Sequence, residues 1–380
     1  MYILHSKNVM IYRTVIVGKI KGETKMAITF SSGATIITGG VVSVGPTALV
    51  TYNGYVTAGT GFEKYPGTGS TTADWEISSW DARDADFNSG HLWALDEDTV
   101  LSGNTGRLVK VNQATGAEIT GFNNSIAMYN GRIAADDSGN VYWAQGLTGN
   151  ATSIRKYNSS GSLQWESSTS DGLTTLTATH TTALRYHDGA IYVTNENTAN
   201  DLGDNKIPRL SKINASTGRL VWDQISLGNW VKAYKAWDVK ILSNGNLAVL
   251  HSGSTGGRQI IEEINPSTGD SVVSTEIKDN TTSSATRSIA GNSTHIFAST
   301  EYGLYAVAVG SSGVVASDTA NAKKEQQLAF RSANDKVYIG GGGFDTVYDI
   351  GVSGSSITYN TGSVHGGGGF AASAQLVMLD

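Results

Sequence analysis

Lys212-Ile213-Asn214-Ala215-Ser216-Thr217-Gly218-Arg219-Leu220-Val221-Trp222 is the stretch whose reading decides the fold. An Asn-x-x-Thr-Gly turn separates two short apolar segments, which reads as strand, tight turn, strand. The same phrase occurs at Lys110-Val111-Asn112-Gln113-Ala114-Thr115-Gly116 and Lys156-Tyr157-Asn158-Ser159-Ser160-Gly161, and more loosely at Glu263-Ile264-Asn265-Pro266-Ser267-Thr268-Gly269. A multi-strand unit recurring every roughly 40 to 55 residues is the sequence signature of a β-propeller.

Upstream of each phrase lies a turn followed by an aromatic-bearing strand. Examples are Ser89-Gly90-His91-Leu92-Trp93-Ala94, Ser138-Gly139-Asn140-Val141-Tyr142-Trp143 and Asp188-Gly189-Ala190-Ile191-Tyr192-Val193. With the segments beginning at Asn53, Asn244, Asn292 and Asn334 the chain holds seven such elements. Asn-Gly and Asp-Gly steps suit the positive φ angles of hairpin turns. In two late units the second turn decays to Gly310-Ser311-Ser312-Gly313 and Ser353-Gly354-Ser355-Ser356, while the flanking strand patterns persist. The fold class is therefore all-β: a single β-propeller of about seven four-stranded blades, with the shared aromatics packed between adjacent blades. Closure is expected from pairing of N- and C-terminal strands, Phe370–Leu379 meeting Ala34–Ile37 and Thr47–Val50, which removes free sheet edges.

Composition agrees. Charged residues are 16% of the 380, Gly is abundant at 46, and Pro is scarce at 4. A net charge of −6 without clustered Lys and Arg argues against nucleic acid as a partner. Zero cysteines exclude disulfides, thiol catalysis and cysteine-ligated metal, and with them a lipobox anchor. No stretch approaches the ~20 apolar residues of a membrane helix, so no membrane insertion is expected.

The first 25 residues differ from the body: they are basic, poor in glycine and lack its alternation. The Val15-Ile16-Val17 patch is too short for a signal peptide, and Lys19, Lys21 and Glu23 follow where a cleavage site would lie. Lys21-Gly22-Glu23 can be encoded by a ribosome-binding sequence just before Met26, which would make Met26 the native start and the gene bacterial or from a bacterial virus. The domain reading is thus 1–25 as an atypical N-terminal extension and 26–380 as the propeller.

The Lys212–Trp222 segment resembles the repeat of the quinoprotein-like (PQQ-type) β-propellers, Asp/Asn-Ala-x-Thr-Gly-Lys/Arg-x-x-Trp, and the match is partial around Asn112, Asn158 and Asn265. The resemblance implies a Trp that docks blade on blade. It marks fold more than activity. Quinone-dependent dehydrogenases with this repeat typically carry adjacent cysteines near the cofactor and a Glu, Asn and Asp set for calcium, neither of which this sequence displays, so a non-enzymatic member is expected. Trp237-Asp238 is a lone pair without a preceding Gly-His at blade spacing, which disfavours WD40 repeats.

Seven histidines (His5, His91, His180, His187, His251, His295 and His365) form no metal-binding spacing, and His91 with His295 occupies equivalent strand positions, so both are expected to be packed or hydrogen-bonded. Three acidic clusters stand out: Asp81, Asp84 and Asp86; Asp96, Glu97 and Asp98; and the loop from Asn195-Glu196-Asn197 to Asp201–Asn205. Solvated turns are the expected reading. If calcium binds, the third cluster is favoured, through Glu196, Asp201 and Asp204. The glycine runs 340–343 and 366–369 lack a phosphate-loop Lys and read as tight turns or a closure segment. No catalytic residue and no cofactor other than Ca²⁺ is assigned. The expected function is a structural or surface-binding propeller of a tailed bacteriophage particle, located in the virion, with neighbouring virion proteins or host-surface glycan or protein as partners. Alternatives are a bacterial cytoplasmic propeller that binds protein or carbohydrate, and a quinoprotein-like or glycan-active enzyme.

Overall fold

The computed structural model describes residues 5–6, 9–10, 14–20, 23–29, 35–38, 54–57, 62–65, 73–80, 82–97, 105–127, 131–144, 154–167, 179–197, 210–224, 236–252, 259–277, 288–300, 302–320, 327–341, 344–360 and 376–378. Two compact units divide the chain, Met1–Leu49 and Val50–Asp380. In the first, Thr14–Ile20, Glu23–Thr29 and Thr35–Thr38 form a three-stranded antiparallel sheet, and His5–Ser6 pairs with Val9–Met10. Met26 lies within that sheet, opposite Val17 and Thr38.

The second unit is a β-propeller of seven four-stranded antiparallel sheets. Blade 1 takes its innermost strand from the C-terminus: Leu376–Met378 pairs with Gly54–Thr57, and Phe62–Tyr65 and Trp75–Ile77 follow outward. The N-terminal partner of the last strand is therefore Gly54–Thr57, with Leu376 opposite Val56, while Thr35–Thr38 pairs within the first unit instead. The other blades run outward in chain order. Their innermost strands are Ala82–Asn88 (blade 2), Arg132–Ala135 (blade 3), Thr179–His187 (blade 4), Ala236–Ile241 (blade 5), Ser288–Gly291 (blade 6) and Gln327–Arg331 (blade 7). Each innermost strand packs beside the next, and Leu376–Met378 lies between Gln327–Arg331 and Ala82–Asn88, so the seven encircle a central channel.

The second strands are the turn-plus-aromatic elements of the sequence. Flanked by sheets on both faces, they read as continuous apolar runs: all of Val141–Ala144 is buried, as are Leu92–Leu95. Outermost strands are the most exposed: in Leu163–Glu166 only Trp165 is half-buried, though Trp222 and Asp223 of Leu220–Asp223 are buried. The hairpin before a second strand needs positive φ at successive residues, which Asp188 (46°) and Gly189 (70°) supply.

Cross-strand register explains the repeated phrase. In blade 4 a single row runs from channel to rim through Arg185, Tyr192, Lys212 and Trp222; in blade 3 the row is Ala134, Tyr142, Lys156 and Trp165. Both rows face the next blade. Lys156 lies 5.2 Å from the centroid of the Tyr142 ring and Lys212 5.8 Å from that of Tyr192, each a cation over an aromatic face. The lysine and tryptophan then donate to one carbonyl in the following blade's Asn-x-x-Thr-Gly turn. Trp165 Nε1 reaches Ala215 O at 3.2 Å and Lys156 Nζ reaches it at 3.3 Å; Trp222 Nε1 and Lys212 Nζ reach Pro266 O at 3.2 and 2.9 Å. Trp75 docks in the same way on Gln113 O at 3.0 Å.

The turn is built to receive the indole. Asn214 Oδ1 accepts the amides of Ser216 and Thr217, and the Gly218 amide closes on Asn214 O at 2.9 Å. Gly218 sits at φ +74°, and a β-carbon there would come within 2.7 Å of Trp165 Cε3. The aromatic reading holds in five blades, where Trp93, Tyr142, Tyr192, Phe297 and Tyr338 are at most 1% exposed, and fails in blade 5, whose second strand carries Ala248 at that position.

Candidate functional site

Polar chemistry converges at the channel. An innermost strand has a partner strand on one edge only, leaving amides and carbonyls that need other partners. Side chains of the preceding blade supply them. Asp84 of blade 2 accepts the Ile133 amide of blade 3 at 2.8 Å, and Asp86 accepts that of Ala135 at 2.7 Å. Arg132 Nε donates to Thr182 O in blade 4 at 2.9 Å, and Thr182 Oγ1 to Ala236 O in blade 5 at 2.6 Å. Asp238 accepts the Ile289 amide of blade 6 at 3.2 Å and the Ser288 hydroxyl at 3.1 Å, and Ser288 Oγ in turn accepts the Leu328 amide of blade 7 at 3.1 Å.

Three carboxylates and three cations share this space: Asp84, Asp86 and Asp238 with Arg132, Arg185 and Lys240. Arg185 donates to Asp238 Oδ1 at 3.4 Å, and Lys240 Nζ lies 3.9 Å from Asp238 Oδ2. Burial dominates the proton affinities. It raises the Asp84 carboxyl against the pull of Arg132 and Arg185, and pushes Asp86 up to about 6 against the opposing Arg185 and Ala135 amide. Burial also brings Lys240 down to about 8, with Arg185 adding to the shift and the three aspartates opposing it.

Asp84 and Asp86 correct the solvated-turn reading: they lie in the strand Ala82–Asn88, not in a loop, and Asp84 is 1% exposed. The Asp-x-Asp spacing carried the signal, since residues two apart share one face of a strand. Asp96 belongs elsewhere, paired with Arg107 at 2.9 Å, and Arg107 in turn binds Glu118. Glu196 falls in the strand Ala190–Asn197 opposite His180, while Asp81, Asp98, Asp201 and Asp204 lie outside the described residues. Among the described residues no three His, Asp or Glu side chains come together as a metal site. Gly340 and Gly341 are strand residues of blade 7, where a turn was expected, and 366–369 lies outside the described residues.

His91 is packed and His295 hydrogen-bonded, as expected. A β-carbon on Gly139 would meet the His91 ring at 2.8 Å, and His295 Nδ1 lies 2.8 Å from Thr294 Oγ1. His251, which sequence spacing did not single out, is buried in blade 5 with Nε2 2.9 Å from Glu262 Oε2. Asp238 and Lys240 were equally unsignalled, the former hidden in the lone Trp237-Asp238 pair.

No protein-family model and no curated protein matches the chain. Its likeness is to solved propellers. The Dos1 propeller aligns with a TM-score of 0.54 at 10% identity, covering 84% of this chain and 86% of that one. A protein from Lactobacillus plantarum aligns at 0.52 and 12% identity, covering 86% of this chain and 100% of that one. The dihydro-heme d1 dehydrogenase NirN, solved in complex with DHE, aligns at 0.52 and 11% identity, covering 83% of this chain and 64% of its own length. At such identities the likeness establishes the β-propeller fold and nothing of activity.

Proposed function

We propose that this chain is a non-catalytic interaction propeller of the quinoprotein-like repeat type, serving as a structural or surface-binding component of a tailed bacteriophage particle. One observation carries the non-catalytic reading: two of the three channel carboxylates have both oxygens on backbone amides, Asp84 on those of Ala85 and Ile133 and Asp238 on those of Val239 and Ile289, which leaves Asp86 without a second carboxyl to work with. A glycan-cleaving pair needs one carboxyl to donate a proton and the other to attack or activate water. Carboxylates that stitch blades together are held away from that work.

The particle setting rests on composition: no cysteine, few charges, abundant Gly, and a ribosome-binding reading of Lys21-Gly22-Glu23. A rigid propeller presents loops at both ends of its blades for contact with neighbouring virion proteins or a host glycan. The test is peptide mass spectrometry on density-banded particles and on the soluble fraction of the source culture. Enrichment in the particle band supports the proposal. Presence in the soluble fraction alone overturns the virion setting and leaves a free bacterial propeller.

A further inference from the structure

Cross-strand register places Asp86, Ala134, Arg185, Lys240, Ala290 and Ala329 at one level of the innermost strands, opposite Trp93, Tyr142, Tyr192, Ala248, Phe297 and Tyr338 respectively. Three of the six residues at this level are charged, and the other three are alanines buried between blades. Solvent reaches it: the Arg185 side chain is 16% exposed and that of Lys240 18%.

The cations there hold more donors than the described residues accept. Asp238 already receives the Val239 amide, Arg185, Ser288 Oγ and the Ile289 amide, which occupies the roughly four acceptor positions of a carboxylate. Lys240, at 3.9 Å, is beyond hydrogen-bond distance of it and has no other acceptor among the described residues. Among the described residues Arg185 donates from its two terminal nitrogens, to Leu184 O and Asp238, and not from Nε, and Arg132 donates from Nε and one terminal nitrogen, to Thr182 O and Gly131 O. Partly exposed guanidinium and ammonium groups side by side match what a small planar or tetrahedral oxyanion recognises.

We propose that the central channel binds a small oxyanion, inorganic phosphate or a carboxylate, through Lys240 and Arg185, with Arg132 adding positive charge on the neighbouring blade. The six charged groups named above sum formally to zero, so the anion would bring the channel to net negative charge. Asp86 offers the relief. Its carboxyl, with one oxygen on the Ala135 amide and proton affinity near 6, takes up a proton as the anion enters. Affinity therefore rises as pH falls toward 6 and declines progressively above about 8, as Lys240 gives up its proton while Arg185 stays charged.

Isothermal titration of the full-length protein with inorganic phosphate at about pH 7, in two buffers of different ionisation enthalpy, tests this. Saturable binding is expected in the wild type, with proton uptake read from acetate, which stays ionised at this pH, because phosphate itself exchanges protons near pH 7. A weakening of about tenfold or more in Lys240→Met corresponds to losing one charge-assisted contact, and Lys240→Arg should retain binding. Acetate in a parallel titration separates carboxylate from phosphate preference. Absence of saturable binding with both probes, or equal affinity in wild type and Lys240→Met, overturns the proposal. Should Lys240→Met fail to melt cooperatively, the same comparison is read from Lys240→Gln and Arg185→Gln.

Discussion

The seam between blades 4 and 5 and the seam between blades 5 and 6 solve the same packing problem with opposite polarity. Blade 4 presents Tyr192, Lys212 and Trp222, and both polar groups of the last two donate to the Pro266 carbonyl. Blade 5 presents Ala248, Glu263 and Val273 at the same three positions. Here Glu263, 1% exposed, accepts: its Oε2 takes the Gly310 amide of blade 6 at 2.8 Å, and its Oε1 takes Asn244 and Asn246 of its own blade. The receiving turn has changed with it, from Asn-Pro-Ser-Thr-Gly to Gly310-Ser311-Ser312-Gly313. Loss of the aromatic pair and reversal of the buried hydrogen bond go together, which shows that donor and acceptor across a seam are matched as a set.

The largest expected effect comes from breaking the aromatic seam. Trp222→Ala removes a 93%-buried indole and its hydrogen bond and should cost about 3–5 kcal/mol, measured by chemical denaturation. Val273→Ala, at the equivalent place in the half-buried outer strand of blade 5, should cost about 1 kcal/mol or less. Equal losses would mean that the tryptophan dock is dispensable and that the two seams do not differ in kind.

Glu263→Lys rewrites blade 5 toward the consensus of the other repeats, and on sequence grounds alone it would be a conservative repair. The geometry says the reverse. Two side-chain amides and one backbone amide lose their acceptor, and the new ammonium meets the Gly310 amide where the other blades offer a carbonyl. A loss of about 3 kcal/mol is expected, on the scale of breaking a buried charged contact. Stabilisation by this change would refute the matched-set account.

A finer probe uses the turn glycines. Gly218→Ala forces an L-residue to φ +74° and drives its β-carbon into Trp165, for a cost of about 2 kcal/mol. Gly313→Ala also sits at positive φ, +100°, but meets nothing within 4 Å, so it should cost only the backbone strain of about 1 kcal/mol. The difference between the two, read as midpoints of thermal melts, isolates the contact with the docking indole.

The contrast also explains what could be read in advance. The seam elements that recur in the sequence, the aromatic second strand, the lysine and the Asn-x-x-Thr-Gly turn, are local: each lies within one hairpin, so periodicity exposes it. Glu263 already stood in the lysine position, yet only the Gly310 amide, contributed 47 residues later, gives the exchange its meaning. The channel was less legible still. Asp84, Arg132, Thr182, Asp238 and Ser288 are four residue types filling one role, binding the backbone of the next innermost strand, and a repeat search sees no repeat in them.

The smallest expected effect lies at that channel and concerns pH. Asp86 carries a folded-state proton affinity near 6, above the 3.8 of an unperturbed aspartate, so folding favours its protonated form. Its contribution is fully present below pH 3.8 and is lost as pH rises through 6, the opposite of an ordinary salt-bridged carboxylate. Asp86→Asn keeps an oxygen for the Ala135 amide and removes the titration. The stability difference, wild type minus variant, should therefore grow in favour of wild type by on the order of 1–2 kcal/mol between pH 7 and pH 4, a discount from the full shift because solvent reaches this level of the channel. Urea denaturation of both proteins across that range measures it. A difference that stays flat, or that grows toward high pH, would place the carboxylate in a solvated or cation-dominated setting and remove the proton acceptor on which oxyanion entry depends.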